Sequence, residues 1–140
     1  MANAGFLRGL TTVSFYADDV TAAKQWYSDL LGMAPYFERS AGESLVYIEF
    51  RLGDHQHELG IIDRRFAPKG AGGSGGAIVY WHVDDVAAAI KKLLTLGAKE
   101  FEPITQRGPG FTTASVIDPF GNILGIMFNQ HFLDMQQSRN

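Results

Sequence analysis

Val13 and Phe15 alternate with Thr12, Ser14 and Tyr16, which predicts a strand over Leu10–Tyr16 with one apolar and one mixed face. From Val20 the spacing changes. Val20, Ala23, Trp26, Tyr27, Leu30 and Leu31 recur at three and four residues, the stripe of a helix that buries one side. Asp19 precedes it, where a carboxylate can accept from the free N–H groups of the first turn. Gly32 follows it, where glycine takes the left-handed conformation that ends a helix. β-Branched and aromatic runs then predict strands over Tyr36–Arg39, Ser44–Leu52 and His57–Ile62.

The same succession occurs a second time. A strand over Ala77–Val83 leads through Asp85 into a helical stripe of Val86, Ala89, Ile90, Leu93 and Leu94, stopped by Gly97. Strands follow at Glu100–Thr105, Thr112–Ile117 and Ile123–Phe128, the last two joined by the turn Asp118–Asn122, whose Pro and Gly supply turn torsions. Asp18-Asp19-Val20 and Asp84-Asp85-Val86 stand 66 positions apart, Leu31-Gly32 and Leu96-Gly97 stand 65 apart, and Leu59-Gly60-Ile61 and Leu124-Gly125-Ile126 also 65. The chain therefore reads as two tandem βαβββ modules of α+β class. Module one spans about 7–65, module two about 77–128, and a tail 129–140. Between the modules, Phe66–Gly76 ("FAPKGAGGSGG") reads as a flexible linker or lid, since it lacks the Gly-Lys-Ser/Thr ending of a phosphate loop.

Composition narrows the partners. The 140 residues fit a single domain, and 46% hydrophobic with 19% charged residues is the balance of a globular protein. A net charge of -3 argues against a nucleic-acid footprint. With no cysteine, disulfides, thiolate metal sites and a thiol nucleophile are excluded. No signal peptide and no membrane-length apolar run are present, so a cytoplasmic location without a membrane partner is expected. Arg51, Arg64, Arg65, Lys91, Lys92 and Lys99 read as solvated surface charge. Open sheet edges suggest a homodimer, with Asn129–Met135 carrying Phe132 and Leu133 across the partner.

One stretch raises a question of chemistry. "GDHQHELGII", Gly53–Ile62, places His55, His57 and Glu58 within four positions, and imidazole and carboxylate are common transition-metal ligands. Alternation sets Glu58 and His57 on opposite faces of a regular strand, so the three converge only if a bulge rotates the parity. The other reading is three polar side chains at a strand end.

Paired βαβββ modules carrying "VDDVAAAIKKLLTLGA" and "DPFGNILGI" resemble the vicinal oxygen chelate superfamily, which includes glyoxalase I, extradiol dioxygenases, fosfomycin-resistance enzymes and bleomycin-resistance proteins. The resemblance runs from about Leu7 to Phe128. It implies that each module curls its sheet into a half-barrel and that the two enclose a cleft. It also implies, in metal-dependent members, ligands on the first and last strand of each module. Those positions fall here at Thr12, Glu58, Ile78 and Gly125, and only Glu58 is a good ligand type. No metal and no other cofactor is therefore expected.

Alternation from Thr12 and Glu58 lines the cleft with Thr12, Ser14, Tyr16, Glu58, Tyr80, His82 and Met127, beside Ile78 and Ile123. Such a mixture suits a small, partly apolar organic ligand. His82 reads either as a general base or binder titrating near neutrality, or as a half-exposed strand end. Glu58 reads as a relic ligand, a general base or a partner for a cationic ligand, or as a carboxylate satisfied by Thr12, Ser14 or water. Three functions follow: a metal-free protein that sequesters a small molecule; a lyase or isomerase of lactoylglutathione-lyase type using Glu58 and His82; or a partner module with a vestigial cleft.

Overall fold

The computed structural model describes residues 5–71 and 75–139, so part of the glycine-rich linker lies outside the described residues. The first module comprises β1 (Thr12–Ala17), α1 (Val20–Leu31), β2 (Phe37–Ala41), β3 (Ser44–Leu52) and β4 (His57–Asp63). A single 3-10 turn, Arg64–Phe66, follows. The second module comprises β5 (Tyr80–His82), α2 (Val86–Thr95), β6 (Lys99–Gly108), β7 (Phe111–Ile117) and β8 (Ile123–Asn129). A third helix, α3 (Gln130–Arg139), ends the described chain.

Each module forms a four-stranded sheet, in the orders β1-β4-β3-β2 and β5-β8-β7-β6. The pairs β1–β4 and β5–β8, at one end of each sheet, are parallel and the rest antiparallel. The sheets are mixed and do not close into barrels, and the tandem βαβββ reading stands. Asp19 and Asp85 cap the helices by accepting from the Ala22 and Ala88 N–H groups, each at 3.0 Å. Gly32 adopts φ 68°, the left-handed stop the sequence predicts.

One apolar core runs through both modules. Val13, Phe15, Leu59 and Ile61 turn toward the helices in the first, and Ala114, Val116, Leu124 and Ile126 in the second. The turn Asp118–Asn122 clamps the halves together. The buried Asp118 carboxylate accepts from Tyr27 Oη at 2.5 Å and from the N–H groups of Phe120 and Asn122 at 2.9 and 2.8 Å. The Asn122 amide accepts from the Tyr16 N–H at 3.0 Å and donates to the Tyr16 carbonyl at 2.9 Å. Arg64 is not a solvated charge as the sequence suggested. Its guanidinium donates to Asp18 at 2.9 Å and to the Tyr16 and Phe120 carbonyls, bridging the modules.

The tail also departs from expectation. It folds back on its own chain as α3, where Phe132 stacks on His82 with ring centroids 4.8 Å apart and Gln136 bonds Asp54. The Gln130 N–H donates to the Gly110 carbonyl at 3.0 Å and fixes the helix start.

Candidate functional site

The helix-averted face of the first sheet carries a connected polar array. β1 and β4 pair without irregularity and place Thr12 opposite Glu58. The Thr12 hydroxyl donates to Glu58 Oε1 at 2.6 Å. On the other side of β4, the antiparallel register sets Arg51 opposite Glu58 and Glu49 opposite Gly60. The Arg51 guanidinium lies 3.8 Å from Glu58 and 3.6 Å from Glu49, and its carbon sits 3.8 Å above the Tyr36 ring. Tyr47 Oη donates to Glu49 at 2.8 Å. Burial, reinforced by that bond, pushes the Tyr47 phenol above its usual range. Gly60 leaves the space into which the Tyr47 ring end fits, since a Cβ there would come within 2.8 Å of its oxygen.

The array thus holds two carboxylates, one guanidinium and two phenols, with one negative charge in excess. Glu49, Arg51, Tyr36 and Tyr47 did not emerge from the sequence reading, which took Arg51 for surface charge. The signal for three of them was the alternation along β3. Val46, Ile48, Phe50 and Leu52 are buried, which sends Tyr47, Glu49 and Arg51 to the face of Glu58.

In the second module Tyr80, His82 and Met127 line a cavity of about 460 Å³ together with His55, His57 and Phe132. His82 is closed in, its side chain 9% exposed. Its Nδ1 accepts from the Asn129 N–H at 3.2 Å, and its Nε2 lies 3.4 Å from an Asp84 oxygen. Nδ1 thus serves as an acceptor for the backbone, and Phe132 of α3 covers one ring face. Ser14 and Tyr16 face a different hollow, beside Ala77, Asn122 and Ile123. Of the seven predicted lining residues, three share one cavity, two share another, and Thr12 and Glu58 line neither.

The question raised by Gly53–Ile62 has a geometric answer. No bulge interrupts β4, so Glu58 joins Thr12 and Arg51, while His57 turns to the cavity of His55, their rings 5.8 Å apart. Among the described residues no three His, Cys, Asp or Glu side chains gather as a set able to hold a metal ion.

The registers also show that Glu58 and Gly125 are not equivalent in the repeat: Tyr80 pairs with Gly125 as Ser14 pairs with Gly60, so the counterpart of Glu58 is Ile123 and that of Gly125 is Gly60. Neither isoleucine nor glycine offers a side-chain donor. Of Thr12, Glu58, Ile78 and Gly125, with Gly60 and Ile123 as the repeat counterparts of the last-strand pair, only Glu58 is a good ligand type, and it is already engaged by a hydroxyl and a guanidinium. This donor set does not fit a resident transition metal.

The family model of the glyoxalase/bleomycin resistance protein/dioxygenase superfamily matches residues 9–126. The chain belongs to that superfamily. Similar solved structures include a glyoxalase-related enzyme from Fulvimarina pelagi, 20% identical, with TM-score 0.69 over 89% of this chain and 90% of that one. Lactoylglutathione lyase from Agrobacterium tumefaciens is 19% identical, with TM-score 0.62 over 85% of this chain and 92% of its own. TioX from Micromonospora sp. ML1 is 17% identical, with TM-score 0.63 over 85% and 97%. At these identities the likeness is one of fold, and a fold hosts many chemistries. No curated protein matches the chain.

Proposed function

We propose that this chain binds a small organic molecule, cationic and partly aromatic, on the helix-averted face of its first sheet, without a resident transition metal. The observation that carries the reading is the engagement of Glu58. The one good ligand-type side chain at the four family positions is held by Thr12 and Arg51 inside an array that also presents Glu49, Tyr36 and Tyr47. Two carboxylates against one guanidinium favour a positive ligand, and the tyrosine rings offer flat contact to a planar one. Ser14 lies in the next row of this face, and Tyr80, His82 and Met127 belong to the second module's cavity, which a longer ligand or a second copy of the chain would have to bring into reach.

The lyase or isomerase reading asks Glu58 and His82 to act on one substrate. These two groups line no common cavity, and His82 has one nitrogen taken by the backbone and one beside Asp84. Sequestration is therefore the better supported function. A homodimer in the cytoplasm belongs to the same reading.

The test is a metal determination on protein purified without chelator, followed by thermal-shift screening of basic, neutral and acidic aromatic compounds. The expected outcome is substoichiometric metal and stabilisation by basic aromatics above the others. One nickel or zinc ion per chain, with methylglyoxal–glutathione activity lost on chelation, would overturn it.

A further inference from the structure

On the opposite side of the sheets, α1 and α2 diverge over a wedge-shaped cavity of about 360 Å³. Leu30 and Leu31 of α1, Leu93 of α2 and Leu124 of β8 supply an apolar lining, while Tyr27, Trp81, His82 and Lys92 are the lining residues with polar side-chain atoms. The volume falls in the range of small-molecule pockets, which are mostly apolar with a few placed polar groups. This hollow is separate from the Glu58 face, because Leu59, Trp81, Leu124 and Ile126 point to the helices and Glu58 away from them.

One cation and one indole belong to its wall. The Lys92 ammonium donates to the Leu30 carbonyl at 2.9 Å, a strap from α2 to α1, and has no carboxylate within ion-pair reach among the described residues. The Trp81 indole N–H is buried and has no hydrogen-bond partner among the described residues. Trp26 shows the contrast, since its indole N–H donates to the Leu96 carbonyl at 2.7 Å. An indole nitrogen is a donor only, and a buried donor left unpaired costs free energy that an acceptor would recover. Closed off from solvent, the Trp81 indole serves as a reporter in the lining, and Lys92 is the cation beside it, with only a carbonyl to hold.

We propose that the wedge between α1 and α2 binds a small amphipathic monocarboxylate, its apolar body against Leu30, Leu31, Leu93 and Leu124 and its carboxylate accepting from Lys92. The flexible four-carbon stem of Lys92 lets the ammonium leave Leu30 and follow the carboxylate inward. The Asp84 carboxylate beside His82 Nε2 makes that ring the wrong end for an anion, so the head group belongs on the Lys92 side.

The experiment uses the two tryptophan indole N–H signals of the ¹⁵N-labelled chain, assigned with Trp81→Phe. Sodium octanoate, octylamine hydrochloride and 1-octanol are titrated in turn. The expected result is a saturable shift of the Trp81 signal with octanoate, little movement of the Trp26 signal, and no saturable response to octylamine. Lys92→Met keeps the apolar stem and removes the charge; it weakens octanoate about tenfold and leaves octanol unchanged. Ala89→Leu fills the wedge and abolishes the octanoate response. If that variant does not fold, Lys92→Met decides alone. Glu58→Gln leaves octanoate binding intact, which separates this site from the first-sheet reading. No saturable shift at millimolar octanoate overturns the proposal, as does equal response to octanoate and octylamine or an unchanged octanoate affinity in Lys92→Met.

Discussion

A methyl group on Gly125 would meet the Tyr80 ring and the Val79 carbonyl oxygen, each at 2.7 Å, whereas one on Gly60 would meet only the end of the Tyr47 side chain. A ring can swing, but a backbone carbonyl in a ladder cannot. Gly125→Ala is therefore expected to destabilise the fold by about 1–3 kcal/mol, the usual range for overpacking, and Gly60→Ala by less. Urea unfolding of both variants checks the order, and a larger loss in Gly60→Ala would refute it. Glu58→Gln tests the binding face at the same scale. It keeps the size and the Thr12 contact and removes one charge. Titration with a basic aromatic probe should show weaker binding than wild type, with the difference shrinking as salt screens the charge. Unchanged affinity at low salt would place the cation site elsewhere.

At the scale of elements, the turn Asp118–Asn122 joins the two modules, and its buried partner Tyr27 gives it a pH signature. Burial, then the adjacent Asp118 charge and the hydrogen bond to it, hold the Tyr27 phenol well above its ordinary value of 10.0. A raised folded value means a contribution to stability that is intact below about pH 10, where the unfolded tyrosine begins to ionise, and lost at up to about 1.4 kcal/mol per pH unit above it. Tyr27→Phe should cost about 1–2 kcal/mol near neutrality by removing a donor from Asp118. The gap to wild type should then close as pH rises past 10. Parallel stability curves from neutral to alkaline pH would show that the phenol does not carry this linkage.

The repeated spacing made the modules legible because period and caps are local properties: Asp19, Asp85 and Gly32 act as their residue types dictate. Helix α3 was not legible. Gln130–Arg139 has no apolar stripe, and its placement rests on Phe132 finding His82, a contact between distant positions. The Thr12–Glu58 pair followed from alternation, whereas Arg51 needed the β3–β4 register, which no single strand encodes. The same gap paired Glu58 with Gly125, although the registers match Glu58 with Ile123 and Gly60 with Gly125.

At the scale of the whole molecule, each sheet is open, with β2 and β6 at one end and β1 and β5 at the other. β2 is exposed at every residue, and β2 and β6 each lie at the outer end of a sheet. Around them Tyr36, Phe37, Phe101, Ile104 and Phe111 expose apolar surface. Unpaired strand edges with apolar neighbours favour pairing with a second chain, and a twin offers the same surfaces in closed symmetry. Since α3 is folded onto its own chain, the pairing surface is expected on the sheets and not on the tail. Light scattering at micromolar concentration should give twice the 15.4 kDa chain mass. Ile104→Lys places a charge on the exposed edge of β6 without touching the core. It should shift the protein toward the monomer while leaving its far-ultraviolet circular dichroism unchanged. A wild-type chain found only at 15.4 kDa would refute the dimer. A variant that stays dimeric would move the contact from β6 to the β2 edge, where Phe37→Lys is the corresponding substitution and should dissociate the pair.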